Sequence, residues 1–260
     1  MPAGNLEAVL KRDRAVVIAG LGGIAGISWV YMFHLAREMG TSTGMEMGVP
    51  RMQGWGAVDF VLMFFMWAVM MVAMMTPSAA PMILTYSRVN RRHNEKRSPL
   101  PATGAFLAGY LVVWTVFSSV ATFAQWGLHR AALLSSMMVS NSPLLGGVLL
   151  IGAGVFQFTP LKRACLAHCR SPLGFFMTEW REGTRGAFLM GIRHGIFCVG
   201  CCWLLMALLF VAGVMNLFWV AAIAAYVLVE KIVPAGHWVS LVIGLCVIAA
   251  GAWMVTGTFL

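Results

Sequence analysis

The sequence predicts an all-α polytopic membrane bundle, with about seven transmembrane helices and a cytoplasmic amino terminus. Three observations predict it. First, 60% of the 260 residues are hydrophobic and only 10% are charged, with a mean hydropathy of +0.83. A soluble domain carries about a quarter charged residues, and this composition leaves too little polar surface to cover one. Second, long apolar runs recur at 15–35, 57–86, 102–127, 143–160, 186–213, 216–233 and 237–259. A helix crossing the bilayer needs about 20 such residues. Third, the basic residues fall on alternate connections.

The runs justify themselves in order. The first follows Lys11, Arg12 and Arg14; it is too long for a secretory h-region and reads as a retained anchor. The second contains Pro77 and Pro81, and is expected to span to about Pro77 and then kink. None of the runs alternates polar and apolar residues as barrel strands do. The runs at 143–160 and 216–233 lie near the short limit for a span. The whole chain, 1–260, reads as one integral membrane domain with a cytoplasmic segment at 1–14 and a Met-rich outer loop at 36–56.

With seven spans, one face of the membrane collects Lys11, Arg12, Arg14, Arg88, Arg91, Arg92, Lys96, Arg97, Lys162, Arg163, Arg170, Arg181, Arg185 and Lys231. The other face holds Arg37, Arg51 and Arg130. Positive residues mark the cytoplasmic side, so the net charge of +9 is topological and predicts no nucleic-acid partner. Glycine steps at Gly22/Gly26 and Gly191/Gly195 predict close helix contacts. No internal repeat is visible.

Sulfur is the chemical signal. On the second span Met63, Met66, Met70 and Met74 lie within about an 80° arc of a helix, with Met71 and Met75 beside them. Methionine is a flexible core filler, and packing alone accounts for such a stripe. Thioether is also a soft ligand for Cu(I). The outer loop carries Met39, Met45, Met47 and Met52 near His34, Glu38 and Glu46. A polar, glycine-rich loop offers methionine little to pack against. Met45-Glu46-Met47 is therefore a candidate copper-capture segment, with thioethers that withstand an oxidising compartment.

The fifth span contains Arg193-His194-Gly-Ile-Phe-Cys198-Val-Gly-Cys201-Cys202. His194, Cys198, Cys201 and Cys202 fall within about 100° on one helical face, a plausible soft-metal face. Cys165, His168 and Cys169, from the preceding connection, are placed to complete it. Inert burial is the plain alternative for these thiols. Five thiols exceed the needs of one redox pair, although the Cys198/Cys201 CxxC spacing also suits a dithiol. Cys246 stands alone and reads as packing. Arg193 lies inside a span, where an arginine costs about 2.5–3.5 kcal/mol; Glu230 is its expected partner.

Several stretches resemble one bacterial family. They are Met70-Met71-Val-Ala-Met74-Met75-Thr-Pro77, the segment from Gln157-Phe-Thr-Pro160 through Cys165-Leu-Ala-His168-Cys169 to Pro172, and Gly195-Ile-Phe-Cys198-Val-Gly-Cys201-Cys202-Trp203. Met215-Asn216-Leu217-Phe-Trp219 and Glu230-Lys231 belong with them. The family is that of the predicted metal-binding integral membrane proteins, a domain of unknown function often labelled copper chaperone. The resemblance runs from about residue 55 onward. It implies metal handling with copper as the expected ion, in the bacterial inner membrane. The metal residues expected from the sequence are Cys165, His168, Cys169, His194, Cys198, Cys201, Cys202, Met66, Met70, Met74, Met45 and Met47.

Delivery of Cu(I) to a copper-dependent membrane enzyme or to subunits of a larger complex is the leading functional expectation. An assembly subunit and a membrane thiol–disulfide oxidoreductase are the alternatives. No phosphate-binding glycine loop, nucleophile elbow or HExxH motif occurs, and no carboxylate pair is placed for acid–base work. A binding role is thus favoured over an enzyme.

Overall fold

Backbone groups in hydrocarbon must be satisfied within the chain, which favours uninterrupted helices. A computed structural model describes residues 3–41, 56–93, 98–133, 140, 142–233 and 236–257. Its elements are α1 (Ala3–Thr41), α2 (Ala57–His93), α3 (Leu100–Arg130), α4 (Pro143–Phe156), α5 (Pro160–Arg170), α6 (Pro172–Glu179), α7 (Gly183–Ala207), α8 (Leu209–Ala212), α9 (Leu217–Ile232) and α10 (Gly236–Thr256). Among the described residues there is no strand.

Five helices are long and apolar enough to cross a membrane: Lys11–Glu38, Ala57–His93, Leu100–Arg130, Gly183–Ala212 and Trp238–Thr256. A bent pair, α4 with α5, makes up to six. Two of the seven expected runs differ from the sequence-based picture. The run at 143–160 breaks, and α5 leaves α4 at 63°. Pro160 lacks an N–H and restricts Thr159 to an extended conformation (φ −70°, ψ 146°). The Thr159 hydroxyl then caps the new helix by accepting from the Lys162 amide at 3.3 Å. The run at 216–233 forms a helix of 16 residues, about 24 Å long against a core of about 30 Å.

The helix α2 continues through Pro77 and Pro81 to His93. In this stretch the Met75 carbonyl accepts the hydroxyls of Ser78 at 3.0 Å and Tyr110 at 3.2 Å. The missing amides of Pro77 and Pro81 instead leave the carbonyls of Ala73 and Pro77 without their helical partners. The helix α1 extends into the expected outer loop as far as Thr41.

Of the two glycine steps, one is a contact. A Cβ on Gly191 would collide with the Phe106 backbone, and one on Gly195 with Val113. A Cβ on Gly109 would meet the Phe188 carbonyl in return, so α3 and α7 cross backbone to backbone. Around Gly22 and Gly26 there is nothing within 4 Å. The helices α4 and α10 approach in the same way through Gly154 and Gly244. Asp13 of α1 accepts Arg91 of α2 through Nε at 2.7 Å and Nη2 at 2.5 Å. The basic ends of these two helices therefore lie together.

The largest fully buried side chains include Trp67, Trp114, Tyr86, Tyr110 and Phe106, with Met32, Met70, Met71, Met74, Met75 and Met82. The outside is strongly apolar: Ile27, Val58, Phe65, Val120, Phe123, Val148, Val242 and Trp253 are all exposed. Cys246 faces outward as well, rather than packing between helices as its isolation had implied.

Candidate metal centre

Four helices build one polar, sulfur-rich pole inside this apolar body. The helix α7 supplies His194, Cys198, Cys201 and Cys202, which its 3.6-residue period places on one inward face. All four are buried. The helix α5 packs across α7 and contributes Cys169, also buried. Cys169 lies in the same buried core as Cys198, Cys201 and Cys202. Four thiols from two helices thus share one core, and all are free.

Cys165 lies at the edge of this group. Its sulfur sits over Gly200, where a Cβ would come within 2.8 Å of it. That glycine, between Cys198 and Cys201, is what lets α5 approach the cysteine face. His168 points the other way. It is exposed, its Nδ1 lies 2.9 Å from the Ala164 carbonyl, and its ring stacks on Phe197 at 4.2 Å. The geometry does not bring it to the thiols.

His194 stacks between Tyr110 and Phe106, with centroids at 5.4 and 6.1 Å. Both of its ring nitrogens are buried without a hydrogen-bond partner. A buried polar group in that condition is costly unless something satisfies it. Met66, Met70 and Met74 are buried in the same core as the cysteines. Met45 and Met47 lie outside the described residues.

Cys198 is the hub. Its sulfur lies 2.9 Å from the Lys231 ammonium of α9 and 3.1 Å from the Tyr110 hydroxyl of α3. Lys231 also donates to Ser78 of α2 at 3.0 Å. The Cys198 sulfur thus sits against both an ammonium and a phenol. Sequence reasoning missed Tyr110 and Lys231 as members of this site. The available signal was a lysine and a glutamate, adjacent at the end of an apolar run in a chain with nine acidic residues.

Beside the thiols lies a second buried polar group. Lys162 of α5 and Glu230 of α9 form an ion pair at 2.5 Å. Gln157 accepts from Lys162, and Tyr226 donates to Gln157 at 3.2 Å and to Glu230 at 3.1 Å. Ser240 of α10 donates to Glu230 at 2.5 Å. The other carboxylate oxygen, Oε2, has no partner. The expected Arg193–Glu230 pair does not form. Arg193 lies one residue, and so about 100°, from His194 on α7. Its guanidinium is half exposed and pairs with Glu179 at 2.9 Å.

The donor set fits a soft ion. Thiolate sulfur is the ligand type that selects Cu(I) or zinc, and carboxylate and water ligands suit harder ions. The thiols are not already closed around one point. Among the described residues no three His, Cys, Asp or Glu side chains form a ready metal site. Cys201 and Cys202 instead donate to the Cys198 carbonyl at 3.1 and 2.9 Å. Ion binding here requires deprotonation of thiols and their rotation away from that carbonyl.

No curated protein and no solved structure matches the chain. The family model PpoB2, described as copper chaperone, matches residues 64–254. That stretch holds every helix contributing to the thiol pole, and the chain belongs to the PpoB2 copper chaperone family.

Proposed function

We propose that this protein binds Cu(I) at Cys169, Cys198, Cys201 and Cys202 and delivers it within the membrane to a copper-dependent partner. The observation that carries the reading is the burial of these four thiols in one core, with the Lys231 ammonium 2.9 Å from the Cys198 sulfur. Two thiolates and one Cu(I) carry a net charge of −1, which one lysine ammonium neutralises. Net neutrality matters in a site shielded from water, where an unpaired charge is costly. His194, with both nitrogens unpartnered, is a further ligand within one helical turn of Cys198. Cys165 is an entry or exit ligand at the edge.

Met66, Met70 and Met74 pass the ion by ligand exchange between soft donors, and Met45 and Met47 collect it outside the membrane. The basic ends of α1 and α2, tied by Asp13–Arg91, lie on the cytoplasmic side of a bacterial inner membrane. The short helix α9 and the bent α4–α5 pair complete seven crossings in this arrangement.

The test is elemental analysis of the chain purified, without chelator, from cells supplied with copper. The wild type is expected to hold copper in stoichiometric amount, and Cys198→Ser with Cys201→Ser to hold background levels. Copper unchanged in that variant overturns the assignment. A Cys198–Cys201 disulfide that forms and is reduced in turnover, without bound copper, replaces it with a redox role.

A further inference from the structure

A groove at the basic end of α1 and α2 has no connection to the sulfur chemistry. Lys11 and Arg14 of α1, Thr85, Arg88, Val89 and Arg92 of α2, and Leu173 of α6 line a cavity of about 490 Å³. Four of the seven lining side chains are basic and none is acidic. Their spacing sets them facing one another: Arg88 and Arg92 are four residues apart on one helix face, and Lys11 and Arg14 are three apart on another. The part-buried Asp13–Arg91 pair holds the two faces in register. Arg14, Arg88 and Arg92 make no ion pair among the described residues. Like charges at these spacings destabilise the helices that carry them. The groove is therefore an arrangement short of negative charge.

Its surroundings say which anion fits. The groove lies at the ends of two helices of membrane length, the level at which lipid headgroups sit. Leu173 forms its wall and is 64% exposed, and Met177, four residues along the same short helix, is 85% exposed. A soluble anion has no use for such flanking apolar surface, whereas an acyl chain does. We propose that this groove is a binding site for an anionic phospholipid. The guanidinium groups of Arg14, Arg88 and Arg92 hold the headgroup phosphate in bidentate contacts, and Leu173 and Met177 lie against the acyl chains. Such basic recesses at helix ends are a general means of recognising anionic lipid. A seated headgroup would also clamp α1 to α2 and α6.

Native mass spectrometry of the full chain in detergent tests this, with phosphatidylglycerol and phosphatidylcholine of matched acyl chains as probes. The wild type is expected to retain one phosphatidylglycerol under conditions that strip phosphatidylcholine. R14Q/R88Q/R92Q is expected to bind phosphatidylglycerol on the order of a hundredfold more weakly, from about fivefold per arginine. R163Q/R185Q, which removes two exposed arginines elsewhere, is expected to bind as wild type does. R14K/R88K/R92K keeps the charge and is expected to keep a measurable part of the binding, which separates lost charge from misfolding. Equal retention of the two lipids overturns the proposal. So does equal weakening in the control pair, or loss in the lysine variant to the level of the glutamine one. Displacement by excess inorganic phosphate overturns it in favour of a soluble anion.

Discussion

The two sulfur-rich regions of this molecule differ in what surrounds the sulfur. Both the methionine stripe of α2 and the cysteine cluster of α7 and α5 are buried. The stripe packs among Trp67, Tyr110 and Trp114. The cysteines share their core with the Lys231 ammonium and Tyr110 phenol that contact Cys198, and with an imidazole whose nitrogens have no partner. Soft ligands alone therefore do not mark a site in a membrane protein, because methionine is also a good core filler. The polar company of the cysteines marks it, since each such group in this setting is expensive and persists where it is used.

The comparison can be broken most forcefully at the ion pair beside the thiols. Glu230→Ala strands the Lys162 ammonium in the core, and is expected to cost about 3–5 kcal/mol, read as a lower unfolding midpoint in detergent. Glu230→Met with Lys162→Met is expected to recover most of that loss. Failure of the double change to recover would mean that the pair acts through shape rather than charge.

Lys231→Met is the next test. It removes the ammonium 2.9 Å from Cys198. A hydrogen bond to a charged group is worth about 1.5–3 kcal/mol. Copper affinity, measured against a chromophoric Cu(I) chelator, is expected to fall about 10- to 100-fold. Tyr110→Phe is expected to be milder, about 0.5–1.5 kcal/mol in stability, because the Met75 carbonyl keeps its bond from Ser78. Smallest of all is Met70→Leu in the stripe, a volume-conserving change expected to cost less than about 1.5 kcal/mol. It should leave copper content unchanged and act only on the rate of loading. Loss of bound copper from Met70→Leu would erase the distinction between the regions.

Hydropathy and helical period made much of this legible in the sequence. The cysteine face of α7 followed from spacing alone, because Cys198, Cys201 and Cys202 with His194 obey one helical period. The apolar runs foretold the long helices α1, α2, α3, α7 and α10. Other features depend on partners distant in the chain. Tyr110 and Lys231 reach Cys198 across sequence separations of 88 and 33 residues, and no local pattern encodes that. The bend between α4 and α5 was written at Thr159-Pro160, where the apolar run ends. Arg193 misled because its charge invited a buried partner, although its place on α7 turns it toward Glu179. His168 misled through its proximity in sequence to Cys169. One helix position to either side of an inward residue is enough to face outward.

X-ray absorption at the copper edge of the loaded protein tests the central claim most directly. A copper shell made of sulfur, changed by Cys198→Ser and unchanged by Met70→Leu, is the result predicted here. A shell of oxygen or nitrogen alone, or a sulfur shell indifferent to Cys198, would contradict it.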